Sequence, residues 1–247
     1  PTQARSTPMN RAMRKRLQRL VDSKAPAIRR DTPLNEMMDT VYQGQYLHTL
    51  EILQRPEAAT LKAIRLCHSV HAASEQAWGL GREMLEPQID CRAGCAFCCH
   101  VAVRVHILDA IGAAAPVLSK PLNYQLESRR REDLARVFQP CPLLEEGQCS
   151  IYSQRPVVCR AYHSRQVAQC RGRFDNHDPD LGIPMSLELY GLTGMPQLAT
   201  TTVLAELGID CRPVVLGLAL TALQQDFEGM VADWLDGGRA FEEVTVL

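Results

Sequence analysis

The sequence predicts a mainly α fold, a helical bundle-like body interrupted by an irregular cysteine-rich segment. Apolar residues recur at three- and four-residue intervals over long stretches on both sides of the chain's middle. No series of alternating strand patterns, internal repeat or glycine-rich phosphate loop competes with that reading. Eight of the ten cysteines fall between Cys91 and Cys170, where helical periodicity fades and turn formers accumulate.

The elements follow in order. Residues 11–20 read RAMRKRLQRL, and Met9, Met13, Leu17 and Leu20 have nearly helical spacing. That stretch is expected to lay one side on the body while its arginines face water. Residues 34–55 read as a helix through Met37, Met38, Val41, Tyr42, Leu50 and Leu53, closed by Pro56. A second helix is expected over 57–86, on Leu61, Ile64, Cys67, Val70, Ala77, Leu80 and Met84, with Gly79 and Gly81 bending or fraying its end. Val101 to Leu118 is predicted as helix, as is 121–138 through Leu122, Leu126, Leu134 and Val137. Residues 139–185 are expected to form loops and short helices. Pro196 is read as the start of a short helix that Gly208 stops, and Pro213 as the first turn of a longer one reaching about Leu235. The final FEEVTVL is read as a short strand or a packed tail.

This divides the chain into a basic N-terminal arm or helix (1–33), a helical region (34–87), a cysteine-cluster domain (88–172) and a C-terminal helical region (173–247). The last is expected to pack with 34–87 as one body.

Composition narrows the function classes. The 247 residues are 46% hydrophobic and 22% charged, enough for a sizeable core. A net charge of −1 argues against bulk attraction to nucleic acid, and 5% aromatic residues against a broad base-stacking platform. No apolar run reaches the roughly 18 residues of a transmembrane helix. Ten cysteines fit a disulfide framework only in an oxidising compartment. The adjacent Cys98-Cys99 and the size of the chain speak instead for reduced thiols and a cytoplasmic location.

The cysteines carry the chemistry. The first group is Cys91, Cys95, Cys98 and Cys99; the second is Cys141, Cys149, Cys159 and Cys170. A thiol packs as a small hydrophobe, but packing does not require four within nine residues. Thiolates are soft ligands that suit zinc and iron–sulfur centres alike. Eight of them furnish two four-ligand sites, or one site with four non-ligands. Adjacent Cys98 and Cys99 are expected to point in different directions.

The text CRAGCAFCC at 91–99, followed by CPLLEEGQCSIYSQRPVVCR at 141–160, resembles the YkgJ-like cysteine-cluster proteins, a family described as zinc- or iron-chelating domains. The resemblance covers residues 88–172. It implies a metal-binding segment in a cytoplasmic bacterial protein, with Cys91, Cys95, Cys98, Cys99, Cys141, Cys149 and Cys159 matching position by position and Cys170 more loosely. A related branch includes flagellin lysine methylases, which would add S-adenosylmethionine and a protein substrate. Cys91-x3-Cys95-x2-Cys98 also has the spacing of radical S-adenosylmethionine enzymes. The missing strand–helix series and the second cysteine group weigh against that chemistry.

Other residues have plainer readings. Cys67 and Cys211 are expected to be buried packing residues. His68 and His71, with Cys67 on the same helix, offer a small metal face, but ordinary helix side chains are preferred. His100, His106 and His163 are the nearest nitrogen donors to the cysteines, and Asp109 is placed facing the cluster. Glu145 and Glu146 are surface charge. Arg155 and Arg160 are expected to offset thiolate charge, with Pro156 stiffening the turn between them.

The preferred function is a metal-binding protein holding an iron–sulfur cluster, 4Fe-4S, in a structural, redox or catalytic role, with zinc as the alternative metal. The competing functions are an S-adenosylmethionine-dependent methyltransferase and a zinc-stabilised interaction module using the basic N-terminal face. The partner, a protein or a small molecule, is left unnamed by the sequence.

Overall fold

Prolines and caps set the boundaries of the long helices. The computed structural model describes residues 9–28, 31–85, 87–92 and 94–247; Arg29, Arg30 and Glu86 of the expected elements lie outside them. Helix α1 (Arg11–Val21) starts at Asn10, whose side chain accepts from Met13 N at 2.9 Å. Met13 and Leu17 are buried one turn apart. Arg16, on the basic stretch, donates to the carbonyl of Leu207 and so caps another helix. Helix α2 (Pro33–Gln54) has Thr32 as its N-cap and proline at its first position. Helix α3 (Ala59–Leu85) follows Pro56 and is not broken by its glycines. At Gly81 a Cβ would lie 2.7 Å from Leu189 Cδ1, so glycine serves helix contact there and not fraying.

The C-terminal half departs further from the expected boundaries. Helix α8 (Leu187–Leu207) carries Pro196 inside it. Its N-cap is Ser186, and Gly208 closes it in the left-handed region at φ 84°. Burial of Leu189, Leu192, Ala199, Val203 and Leu204 against α2 and α3 outweighs the local preference of one proline. A polar knot joins these three helices: Gln45 Nε2 donates to Ser69 Oγ at 3.0 Å and to Thr200 Oγ1 at 3.1 Å.

Val101–Leu118 is not one helix. Arg104–His106 forms strand β1, and helix α4 is Ile107–Ala114. Likewise Pro213–Val215 is a strand, and the predicted helix from Pro213 resolves into α9 (Leu216–Leu223) and α10 (Phe227–Leu235). Asp226 caps α10 by accepting from Gly229 N at 2.9 Å, which accounts for the break. Strand β1 pairs antiparallel with Pro213–Val215, Val105 opposite Val214. The β-branched residues that weaken a helix here suit a buried two-stranded ladder. Each strand leads directly into a helix, and α4 and α9 pack together.

Residues 121–138 are also not a continuous helix; α5 is only Arg131–Leu134. The segment is held from outside. Gln224 Oε1 accepts from Leu122 N, Tyr124 packs on Gly217, and Leu247 N donates to the Arg129 carbonyl. A Cβ at Gly217 would lie 2.4 Å from the Tyr124 ring. Gly217→Ala is therefore expected to destabilise the fold by about 1–3 kcal/mol through overpacking, read as a lowered thermal midpoint. An unchanged midpoint would mean that the ring moves aside freely. The tail packs through Phe241 and Val244, and Thr245 bridges to Val214.

The cysteine region consists of a 3-10 turn (Phe97–Cys99), a hairpin, α6 (Val157–Ala161) and α7 (Val167–Asp175). The hairpin pairs β2 (Leu144–Glu145) with β3 (Gln148–Cys149). Glu146 and Gly147 both have positive φ at its turn. Following β3 in the chain, Pro213–Val215 is β4.

Candidate metal centre

The two cysteine groups are joined by backbone. Cys141 N donates to the Cys99 carbonyl at 2.7 Å, and Asp90 N to the Ser164 carbonyl at 2.9 Å. Asp90 Oδ2 in turn accepts from Val167 N at the start of α7, the helix that carries Cys170. The first and second groups, some 40 to 80 residues apart in sequence, are thus brought to one place.

None of the ten cysteines is in a disulfide. Their electrostatic neighbours gather seven of them into two sets, with Cys98 between. Cys91 feels Cys95 and Cys170, while Cys98 feels Cys99 and Cys159 ahead of Cys91. Cys141 feels Cys99 and Cys149, and Cys159 feels Cys141, Cys99 and Cys149. The first set is Cys91, Cys95 and Cys170; the second is Cys99, Cys141, Cys149 and Cys159; Cys98 touches both. Cys98 joins the two sets, bonded by its side chain to the adjacent Cys99.

That bond and burial set the local chemistry. The hydrogen bond to Cys99 and then desolvation push the Cys98 thiol far up. The same bond lowers Cys99 to about 7, against desolvation, so it is the readiest thiolate of the pair. Burial raises Cys141 to about 12 and Cys159 well above its ordinary value. Thiols held neutral by burial and packed beside one another need a cation to become thiolates.

Backbone donors are already in place. The N–H groups of Leu143 and Ile151 bond the sulfurs of Cys141 and Cys149, each two residues earlier. Ser164 N donates to Cys91 Sγ at 3.1 Å. Such N–H···S bonds stabilise ligating thiolates and tune the centre they hold. Cys91 is at the surface, whereas no member of the second set is exposed.

The surrounding side chains take the following positions. Arg160 is 7% exposed and holds the segment together: it donates to the carbonyls of Arg155 and Ser153 and to Glu75 of α3. Arg155 lies over the Tyr152 ring at 4.0 Å. His163 has both ring nitrogens engaged, with the Ala161 carbonyl and with Ser186 N. His100 Nδ1 bonds the Ala96 carbonyl, and its ring stacks near Phe174. His106 Nδ1 is buried with no hydrogen-bond partner among the described residues. Glu145 pairs with Lys120 at the surface.

Asp109 bonds none of the clustered thiols, though its charge reaches Cys159 and helps to raise it. Asp109 is 2% exposed, accepts from Val157 N at the start of α6, and meets His71 at 2.9 Å. Cys67 is 1% exposed, as expected of a packing residue, yet its sulfur lies 3.5 Å from the same His71 nitrogen. Sequence alone had no means of seeing Asp109 or Gln197 beside that helix face. His68 points away and is exposed.

Residues 90–177 match the family model CxxCxxCC, described as "Putative zinc- or iron-chelating domain". The chain carries a YkgJ-like cysteine-cluster domain. The matched stretch is about a third of the chain and contains all eight clustered cysteines. The donor set fits the description: eight reduced thiols, soft ligands for either metal. This YkgJ-like domain has one more residue between Cys91 and Cys95 than the motif's name, and Gly94, at φ 81°, turns the chain there. No curated protein and no solved structure matches the chain. Among the described residues, no helix is long and apolar enough to cross a membrane.

Proposed function

We propose that the cysteine-cluster domain holds two four-thiolate centres, and that these are iron–sulfur clusters of the 4Fe-4S type serving electron transfer. Four thiols in the second set, and three in the first with Cys98 beside them, support this reading. All-thiol sets with N–H···S bonds suit such clusters. Two centres ligated by neighbouring residues Cys98 and Cys99 are close enough to exchange electrons, an arrangement that two purely structural zinc ions do not need. The surface position of Cys91 gives the outer centre access to a partner, while the inner centre is shielded.

Anaerobic purification without chelator, followed by iron, zinc and sulfide analysis, tests the assignment. Two four-iron clusters give about eight irons and about eight sulfides per chain, with brown colour and charge-transfer absorption. Colourless protein with zinc in the thiol sets and no sulfide overturns it and leaves a zinc-stabilised fold.

A further inference from the structure

A second kind of metal site lies in the helical body, apart from the clustered cysteines. We infer that Cys67, His71 and Asp109 bind a zinc ion, with Gln197 as fourth donor. Cys67 and His71 come from one face of α3, Asp109 from α4 and Gln197 from α8. Their candidate ligand atoms, one each from Cys67, His71 and Asp109, lie within 4.8 Å of one another, and all three residues are buried.

The geometry at His71 is the argument. Its Nε2 lies 3.5 Å from Cys67 Sγ and 2.9 Å from Asp109 Oδ1. A ring nitrogen carries one proton or offers one lone pair, so Nε2 bonds Asp109 or Cys67 but not both, and the Cys67 sulfur is otherwise met by the Gly112 backbone. A cation at the point where the three converge satisfies all of them. Zinc bond lengths to S, N and O at tetrahedral angles separate sulfur from nitrogen by about 3.6 Å and nitrogen from oxygen by about 3.4 Å. The first matches; the carboxylate withdraws by about half an ångström.

Charge points the same way. Asp109 is buried, and among the described residues its hydrogen-bond partners are His71, Val157 N and Gln197, none of them lysine or arginine. Its one ionisable partner is His71, so a neutral imidazole leaves a buried carboxylate without a cation, which is costly. Gln197 now donates to Oδ2; a half-turn of its amide presents oxygen instead. Ser74, one turn beyond His71 on α3, has a fully buried hydroxyl with no hydrogen-bond partner among the described residues. The mixed S, N and O donors suit a borderline-soft ion. Burial on every side makes this a closed, structural site. It would lock α3, α4 and α8 behind α6, since Asp109 also accepts from Val157 N.

The test uses the full chain, with zinc and iron counted per chain. His71→Gln and Asp109→Asn should each lose one zinc while the metal of the thiol sets stays. Cys95→Ser and Cys149→Ser should keep that zinc whatever becomes of the proposed clusters. Unchanged zinc in folded His71→Gln and Asp109→Asn overturns the site. Should either variant fail to fold, X-ray absorption at the zinc edge of the parent decides. Imidazole scattering alongside a sulfur neighbour supports the site. Absent zinc, or zinc with sulfur neighbours alone, overturns it.

Discussion

Cys149→Ser is expected to empty one thiol set and leave the other loaded. Serine keeps the size of cysteine but is a poor ligand for soft metals. Cys149 belongs with Cys99, Cys141 and Cys159, so its loss should remove about half of the thiol-bound metal, on the proposal of two like centres. Cys95→Ser should remove the other half, and the double variant all of it. Structural zinc in small domains contributes about 10–16 kcal/mol of binding free energy, a guide to how strongly an emptied set should loosen its loops. Limited proteolysis should therefore cut Cys149→Ser around the hairpin at 144–149 and Cys95→Ser around 91–99. Loss of the whole complement from either single variant, in a chain as protease-resistant as its parent, would mean one shared centre. Full metal in Cys149→Ser would remove it from the ligands.

The cysteines were legible in the sequence because thiol chemistry is written in residue type and local spacing. Their partition was not. Which set takes Cys98 and which takes Cys99 depends on where α7 and the hairpin land, and these lie 40 to 70 residues further along. The long helices α2 and α3 were legible through periodicity and through Pro56. The misread elements share a cause. Pro196 was judged by local preference and the Val101–Val105 stretch by helical spacing against its β-branched residues, but burial against α2 and α3 carries the helix over Pro196, and pairing with Pro213–Val215 draws Val105 into a strand. Leu126, Leu134 and Val137 do reach apolar surroundings around Tyr124 and Val215, and Leu122 packs on the main core, but by a path fixed from outside the segment. The pairing of His71 with Asp109 spans 38 residues and leaves no periodic trace.

Arg160→Met is expected to be the most damaging change among residues that ligate nothing. The obvious candidate for its importance, the 2.7 Å ion pair with Glu75, is the weaker part. The Glu75 side chain is 55% exposed, and solvent screens its pair. The carbonyls of Ser153 and Arg155 are the larger matter, since the guanidinium satisfies both from inside the segment. Methionine fills similar space but donates nothing, leaving two acceptors under-satisfied at about 1–3 kcal/mol each. A loss of roughly 2–5 kcal/mol follows, read as a lower thermal midpoint for the loaded protein. The damage should be local first. Arg160 follows Cys159 and fixes the 153–155 turn ahead of α6, so the inner set should release metal faster to a chelator than the outer set. Arg160→Lys should recover little, because an ammonium lacks the fork that reaches two carbonyls and a carboxylate together. Glu75→Gln is the control: it breaks the ion pair but keeps both carbonyl bonds, and its midpoint and release rate should stay near those of the parent. If Glu75→Gln proves as harmful as Arg160→Met, the ion pair and not the carbonyl bonding holds α6 against α3.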